Sequence, residues 1–86
     1  MKDLEKIMKA LANRRRLAIL AYLKRNREAA VAEIADEIDL SFKATSKHLG
    51  ILAAVDIVDK EQRSAQVFYR LASNQKSAVR HILSLL

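Results

Sequence analysis

The chain has 86 residues, a formal net charge of +6, 51% hydrophobic residues, and neither cysteine nor proline. This length fits one domain, and the lack of cysteine excludes disulfides, thiolate metal sites and thiol redox sensing. No apolar run reaches the length of a membrane span, and the charged start is unlike a signal peptide, so we expect a cytoplasmic protein. The net charge of +6 fits an acidic partner, most often nucleic acid.

Two helices are predicted at the start of the chain. Leu4, Ile7 and Met8 recur at the spacing of one helical face, which indicates a helix over about residues 3–12. Asn13 is a suitable cap for a second helix that runs to about Arg25. The basic residues that bracket this second helix are Arg14, Arg15, Arg16, Lys24, Arg25 and Arg27.

Residues 31–53 predict a helix-turn-helix. Ile34, Ala35 and Ile38 share one helical face, so the first helix of the pair is amphipathic. Asp39 follows at the corner, where the backbone commonly needs a positive φ that Asp tolerates better than most residues. Ser41 can then cap the second helix with its hydroxyl group.

The second helix of the pair, over about residues 41–53, is predicted to be the recognition helix. Thr45, Leu49 and Leu52 form its inward stripe. Its outward positions are Phe42, Lys43, Ser46, Lys47 and Gly50. The glycine costs roughly 1 kcal/mol of helix stability relative to alanine.

The charges distinguish the two helices. Residues 28–39 contain five acids and no base, whereas residues 40–53 contain two lysines, one histidine and no acid. Because carboxylates repel phosphates, the first helix must lie mostly behind the second, which would enter a DNA major groove. An unrelated helix pair in an all-α bundle is the alternative, but the hairpin that follows favours the DNA-binding arrangement.

That hairpin, over about residues 57–71, is predicted to be a wing. Ile57 and Val58 open its first strand, and the second strand covers residues 66–71, where β-branched and aromatic residues dominate. The residues 62–65 must turn without Gly, Pro or Asn, so the turn type stays open. Val67, Tyr69 and Leu71 would share one face, and Phe68 and Arg70 the other.

A last helix over about residues 73–86 is predicted, with Ser73 as its cap. It ends on an apolar Ile-Leu-Ser-Leu-Leu run, which either docks beside the first helix of its own domain or packs against a second copy. We favour a two-fold dimer, since 86 residues cannot easily bury every apolar stripe. The candidate interface residues are Leu4, Ile7, Met8, Val79, Ile82, Leu83 and Leu86.

The elements together predict a mainly α fold with a small β-hairpin, in the order α-α-α-α-β-β-α. This is a winged helix-turn-helix, formed as a single domain over residues 1–86. The terminal helices, about residues 3–12 and 73–86, would hold the dimer.

Three stretches of the chain resemble the ArsR family of winged helix-turn-helix repressors. Residues 10–23, ALANRRRLAILAYL, are similar to a family segment that usually carries Asp-Pro-Thr-Arg-Leu; Asn13 stands for the Asp, and Arg16 and Leu17 match the Arg-Leu. Residues 33–52 resemble the family's helix-turn-helix, including the Ser-Lys-His-Leu run at 46–49, and VFYRL resembles its closing strand. The resemblance implies a dimer that binds an operator and represses transcription.

Many members of that family release DNA when a metal binds, but this chain departs from both familiar metal sites. The Cys-x-Cys pair would fall at Ala30 and Ala32, which cannot ligate a metal. The last helix offers only His81, and no carboxylate follows Glu61. Since a metal needs three or four converging ligands, we expect no metal and no cofactor. Thr45 also departs, because the family usually has Val or Ile there.

The residues expected to touch DNA fall into two groups. Candidates for base-edge contacts are Phe42, Lys43, Ser46 and Lys47. Candidates for phosphate contacts are Arg14, Arg15, Ser41, His48, Lys60 and Arg63. Phe42 either faces the DNA or folds back on the neighbouring helix. Arg16 is either solvated or partly buried between helices. Asp59 and Glu61 oppose DNA contact by the wing.

The function predicted from sequence is a sequence-specific DNA-binding transcriptional regulator, a dimeric repressor without a metal switch. Ser41 or Ser46 with His48 lacks the orienting acid and oxyanion site that an enzyme would need. The alternatives are a winged-helix protein-interaction or dimerisation module, and a sequence-independent nucleic-acid-binding protein. A small-molecule effector would leave no readable signature, and the localisation expected is cytoplasmic and nucleoid-associated.

Overall fold

The computed structural model describes residues 2–86, and within that range the chain folds as a winged helix-turn-helix. Its helices are α1 (Lys2–Leu11), α2 (Arg14–Asn26), α3 (Val31–Glu37), α4 (Phe42–Ala54) and α5 (Ser77–Ser84). Its strands are β1 (Glu28–Ala30), β2 (Val58–Arg63) and β3 (Gln66–Leu71). The predicted helix-turn-helix corresponds to α3 and α4, and the predicted wing to β2 and β3.

Strand β1 was not predicted, so the order of elements derived from the sequence is incomplete. The three strands form an antiparallel sheet in the order β1-β3-β2, with Glu28 paired with Arg70 and Ala30 paired with Phe68. Two of the three residues of β1 are alanines, which have little strand propensity. The strand therefore forms because the edge of β3 supplies hydrogen-bonding partners, which no local sequence pattern reveals.

The predicted helix starts are confirmed at two positions. The side-chain oxygen of Asn13 accepts hydrogen bonds from the backbone N–H groups of Arg15 and Arg16, at 2.9 and 3.1 Å. The hydroxyl oxygen of Ser41 accepts one from the N–H of Ala44, at 3.1 Å. Both caps satisfy N–H groups that have no partner inside their helix.

The start of the last helix was predicted wrongly. Helix α5 begins at Ser77 with Lys76 as its cap residue, and Ser73 caps nothing. The reason lies in Gln75, whose side-chain amide donates to the carbonyl oxygens of Ile57 and Ala72, at 2.7 and 2.9 Å. These bonds hold the connection after β3 against the start of the wing, so the helix cannot begin until this connection ends.

The tight connections use non-glycine residues in the left-handed region. Arg27, Asp39, Asp56 and Ser64 have φ between 54° and 61°. Asp39 occupies the helix-turn-helix corner, as predicted, and Ser64 opens a two-residue loop between β2 and β3 that is tighter than the predicted turn. The single glycine, Gly50, lies instead within α4, where an added Cβ would meet nothing within 4 Å.

The core lies between α2, α4 and the inner face of the sheet. Ile19 and Leu20 of α2 are fully buried against Leu49 and Leu52 of α4, and Ile34 of α3 completes this centre. The predicted inward stripe of α4 is confirmed. Because α4 is held along its whole length, its opposite face is presented to solvent in a fixed direction.

Three candidate dimer residues belong to the core of a single chain. Ile7, Val79 and Leu83 are buried within the chain, which leaves them little surface for a second copy. Leu4 and Met8 are 40% and 45% exposed. Ile82 is half-buried and Leu86 is exposed. Fewer apolar residues of the terminal helices are therefore accessible to a second copy than the predicted interface contains.

Thr45 gives a test of the core. Its hydroxyl oxygen is fully buried and has no hydrogen-bond partner among the described residues. An unpaired buried polar group costs about 1–3 kcal/mol, so Thr45→Val should raise the free energy of unfolding by about 1–2 kcal/mol. Urea denaturation followed by circular dichroism measures this change. Thr45→Ser is the matched control: it keeps the hydroxyl, removes a methyl group and should destabilise. A loss of stability in Thr45→Val would contradict the conclusion that the Thr45 hydroxyl group is buried without a hydrogen-bond partner.

Candidate nucleic-acid interface

The exposed face of α4 carries the predicted base-contacting residues. Phe42 is 60% exposed, which decides against the placement folded back on a neighbouring helix. Lys43 and Lys47 are also exposed, while Ser46 is half-buried at the edge of this face. The helix therefore presents one aromatic ring and two cations in its first two turns, the part of a recognition helix that reaches base edges.

Arg14 and Arg15, both predicted to contact phosphates, occupy different environments. The side chain of Arg14 is exposed at the start of α2. Arg15 is half-buried, and its Nη1 donates to the carbonyl oxygen of Ile38 at 3.0 Å. Ile38 is the C-cap residue that follows α3, so Arg15 braces the helix-turn-helix corner from α2. Arg14 is thus free for a phosphate, whereas Arg15 also holds the turn in place.

Arg16 is partly buried and connects three elements, as one of the two sequence interpretations proposed. Its Nε and Nη2 donate to the carbonyl oxygens of Ala10 and Lys9 at the end of α1, at 2.5 and 3.1 Å. Its Nη1 lies 3.1 Å from Nδ1 of His48 on α4. Partial burial, together with the nearby positive charges of Arg16, Arg15 and Lys47, lowers the pKa of His48 below its ordinary value.

Arg63, a predicted phosphate contact on the wing, is bound by carboxylates of its own chain. Its two terminal nitrogens donate to both oxygens of Glu28, at 2.7 and 2.9 Å, and Nη2 also donates to Glu61 at 3.1 Å. Its guanidinium lies 4.6 Å from the ring centroid of Phe68. Hydrogen bonds from Arg63 are the main cause that lowers the pKa of Glu28 and of Glu61. The residue therefore ties the wing to β1 across the central strand.

Lys60 lies on the opposite face of the wing from Arg63. The register pairs Lys60 with Tyr69, on the face that continues into the core, whereas Glu61 pairs with Phe68 on the outer face. Lys60 is exposed, and no ion pair joins it to another residue of 2–86. Of the two wing cations predicted to contact DNA, Lys60 is the one whose charge is available.

Sequence reasoning missed two side-chain contacts that link distant segments of the candidate site. The Arg16–His48 contact spans 32 positions, and the Arg63–Glu28 ion pair spans 35. Glu61 and Arg63 are two residues apart on one strand, so their side chains share a face. That Glu28 lies on the same face could have been predicted only if β1 had been recognised. The resemblance of Arg16 and Leu17 to the Arg-Leu of the family segment drew attention to Arg16 but did not show which groups it contacts.

Two kinds of feature are absent from residues 2–86. No helix there is long and apolar enough to cross a membrane. In the same residues, histidines, cysteines and carboxylates form no group of three that could hold a metal ion.

Comparison with known proteins identifies the family. A helix-turn-helix domain family matches residues 11–61. The transcriptional activator HlyU of Vibrio cholerae is 38% identical over 77 residues, which cover 90% of this chain and 70% of that protein. The chain belongs to the ArsR family of winged helix-turn-helix transcriptional regulators. As a member, it is a DNA-binding regulator and not an enzyme.

Two further relatives and a solved structure of HlyU extend the ArsR-family comparison. A biofilm growth-associated repressor of Agrobacterium fabrum is 33% identical over 69 residues, covering 80% of this chain and 58% of that protein. Reduced HlyU of Vibrio cholerae superimposes with a TM-score of 0.82 at 33% identity, over 99% of this chain and 85% of that structure. A homodimeric winged helix-turn-helix DNA-binding domain of Mycobacterium bovis gives 0.83 at 30% identity, over 98% and 74%.

The bound state of Arg63 leads to a prediction for the wing of this ArsR-family chain. Glu28→Gln removes one of the two carboxylates that hold Arg63, so DNA affinity should rise severalfold, and the slope of log K against log salt should steepen by up to about 0.9. Fluorescence anisotropy on a labelled duplex measures both quantities. Asp59→Asn is the matched control, since it removes one negative charge from β2 of the same sheet without releasing Arg63. Equal effects of the two variants would mean that Arg63 stays bound and contacts no phosphate.

Proposed function

We propose that this ArsR-family chain is a dimeric repressor that reads a specific operator with α4 in the major groove. The observation that carries the proposal is the two-sided character of α4. The helix buries Thr45, Leu49 and Leu52 in the core and presents Lys43 and Lys47 to solvent from its first two turns. A helix held in this way can enter a groove without rearrangement, since both cations already point outward.

We propose that bases are read by Phe42, Lys43, Ser46 and Lys47. Lysine can donate to O6 and N7 of guanine, and a phenyl ring can pack on the methyl group of thymine. Phosphates would be contacted from Arg14, Ser41 and Lys60, whose side chains are exposed. Arg15, His48 and Arg63 would contribute from the positions that their own contacts allow.

The proposed dimer forms through the terminal helices. Leu4 and Met8 expose apolar surface on one side of α1, and Leu86 does so near the end of α5. The homodimeric Mycobacterium bovis domain, which shares the fold, supports this assembly. Two copies related by a two-fold axis would place their recognition helices about one DNA turn apart, near 34 Å.

Repression would follow from occupancy, because a dimer on its operator excludes other proteins from the same DNA. The relatives include one protein named an activator and one named a repressor, so the direction of regulation needs its own test. A reporter gene under the chain's own upstream DNA should rise in output when the chain is absent. We propose that no metal controls this step, since Ala30 and Ala32 carry no ligand atoms in their side chains. DNA binding would keep the protein on the nucleoid.

The first prediction separates base reading from phosphate contact. Ser46→Ala and Lys47→Gln should reduce discrimination between operator and scrambled DNA, by about 1–3 kcal/mol for a residue that makes a bidentate base contact. Arg14→Gln should instead weaken binding to both sequences alike, because a phosphate carries no sequence information. Titration of each variant against both duplexes measures the difference. The same sequence-blind loss in all three variants would contradict direct reading by α4.

The second prediction concerns the DNA upstream of the chain's own gene. Binding there should survive scrambled competitor and weaken steeply with salt, with a slope of about −0.9 per phosphate neutralised. Mobility-shift experiments at two salt concentrations test both properties. Loss of binding to competitor would indicate a sequence-independent nucleic-acid-binding protein. Failure to retain DNA even at low salt would favour a protein-interaction module.

A further inference from the structure

The contact between Arg16 and His48 restricts where the histidine can carry its proton. The guanidinium of Arg16 directs two nitrogens to the carbonyl oxygens of Lys9 and Ala10 and the third, Nη1, to Nδ1 of His48 at 3.1 Å. A guanidinium only donates hydrogen bonds and stays protonated in proteins. Nδ1 must therefore be the acceptor, so the ring is neutral and its proton lies on Nε2.

We propose that Arg16 is a positioning residue that fixes His48 as the neutral Nε2–H tautomer, and that His48 in this form donates a hydrogen bond to a DNA phosphate. The inference deepens the proposed function and rests on it for the DNA contact. His48 follows Lys47 on α4 and is half-buried; Nδ1 faces Arg16, while Nε2 has no hydrogen-bond partner among the described residues and is not fully buried. Arg16 thus determines which nitrogen is offered to the nucleic acid.

The surroundings of the ring keep it neutral. The charged groups that face it are Arg15 and Arg16 from α2 and Lys47 from its own helix, and all three are cations. A proton on Nδ1 would remove the hydrogen bond from Arg16 and place a fourth positive charge among them. His48 therefore differs from the cationic phosphate contacts, because it donates a directional hydrogen bond without adding a charge.

The tautomer can be measured on the unmodified protein. Long-range proton–nitrogen correlation NMR at pH 7.5 should show the pattern of an Nε2–H ring for His48, with His81 as a reference in the same spectrum. Arg16→Gln should convert the His48 signals toward a mixture of tautomers. Arg15→Gln, which removes the same charge from the neighbouring position, should leave the pattern unchanged. An Nδ1–H or imidazolium pattern in the unmodified protein would overturn the proposal.

The DNA contact is tested by two variants that keep different halves of the imidazole. His48→Gln can place an amide N–H near the position of Nε2 and should retain most of the affinity. His48→Asn cannot reach that position and should lose about tenfold or more, as expected for a hydrogen bond to a charged group. Thermal unfolding by circular dichroism confirms that both variants fold. Equal affinities for His48→Asn and the unmodified protein would overturn the donor role.

The pH dependence of DNA binding gives an independent check on the role of Arg16. The affinity of the unmodified protein should depend less on pH between about pH 6 and 8 than that of Arg16→Gln, because burial and the neighbouring cations lower the pKa of His48 below its ordinary value. In Arg16→Gln the affinity should rise more as the pH falls, because one of the cations that oppose a proton on the ring is gone and the protonated ring attracts phosphate. If the unmodified protein bound no DNA, the proposed function would fail, while the NMR pattern would still decide the tautomer.

Discussion

The burial of one face of α4 is the constraint on which the rest of the structure depends. Leu49 and Leu52 pack into the fully buried centre formed with Ile19 and Leu20 of α2, and this contact determines the direction of every outward residue of the recognition helix. Elements elsewhere brace this packing. Arg15 holds the corner before α4, and Arg16 connects the end of α1 to His48 in the middle of α4. The buried apolar surface of the chain thus fixes the orientation of α4.

The two elements proposed to face DNA, α4 and the wing, carry their charges in different states. The exposed lysines of α4 have no acidic partner among the described residues, so their fields extend into solvent. On the outer face of the wing, Arg63 and Arg70 both contact Glu61, and Arg63 also contacts Glu28. Because those charges neutralise one another, the outer face of the wing attracts phosphate weakly. We therefore expect α4 and the start of α2 to supply most of the electrostatic attraction for phosphate.

Local signals were sufficient for most of the fold. Helical periodicity located α1 to α4, and the caps at Asn13 and Ser41 and the corner at Asp39 followed from the chemistry of single residues. The failures share one physical cause, which is a partner distant in sequence. Strand β1 depends on β3, and the late start of α5 depends on the contact of Gln75 with Ile57. In the candidate site, the residue pattern predicted which side chains of α4 lie away from the core, but not that Arg63 is already bound or that Arg16 meets His48.

The position of β1 in the sheet has a consequence for the order of folding. Strand β1 precedes the helix-turn-helix in the chain, and β3, the strand with which it pairs, follows the helix-turn-helix. The pairing of β1 with β3 therefore closes a loop that contains α3 and α4. Closing such a loop costs chain entropy before any pairing compensates, which makes non-local strand pairing a late event. During synthesis, β1 has no partner until residues 66–71 have left the ribosome. We therefore expect helices α2 to α4 to pack first, and the pairing of β1 with β3 to stabilise that arrangement afterwards.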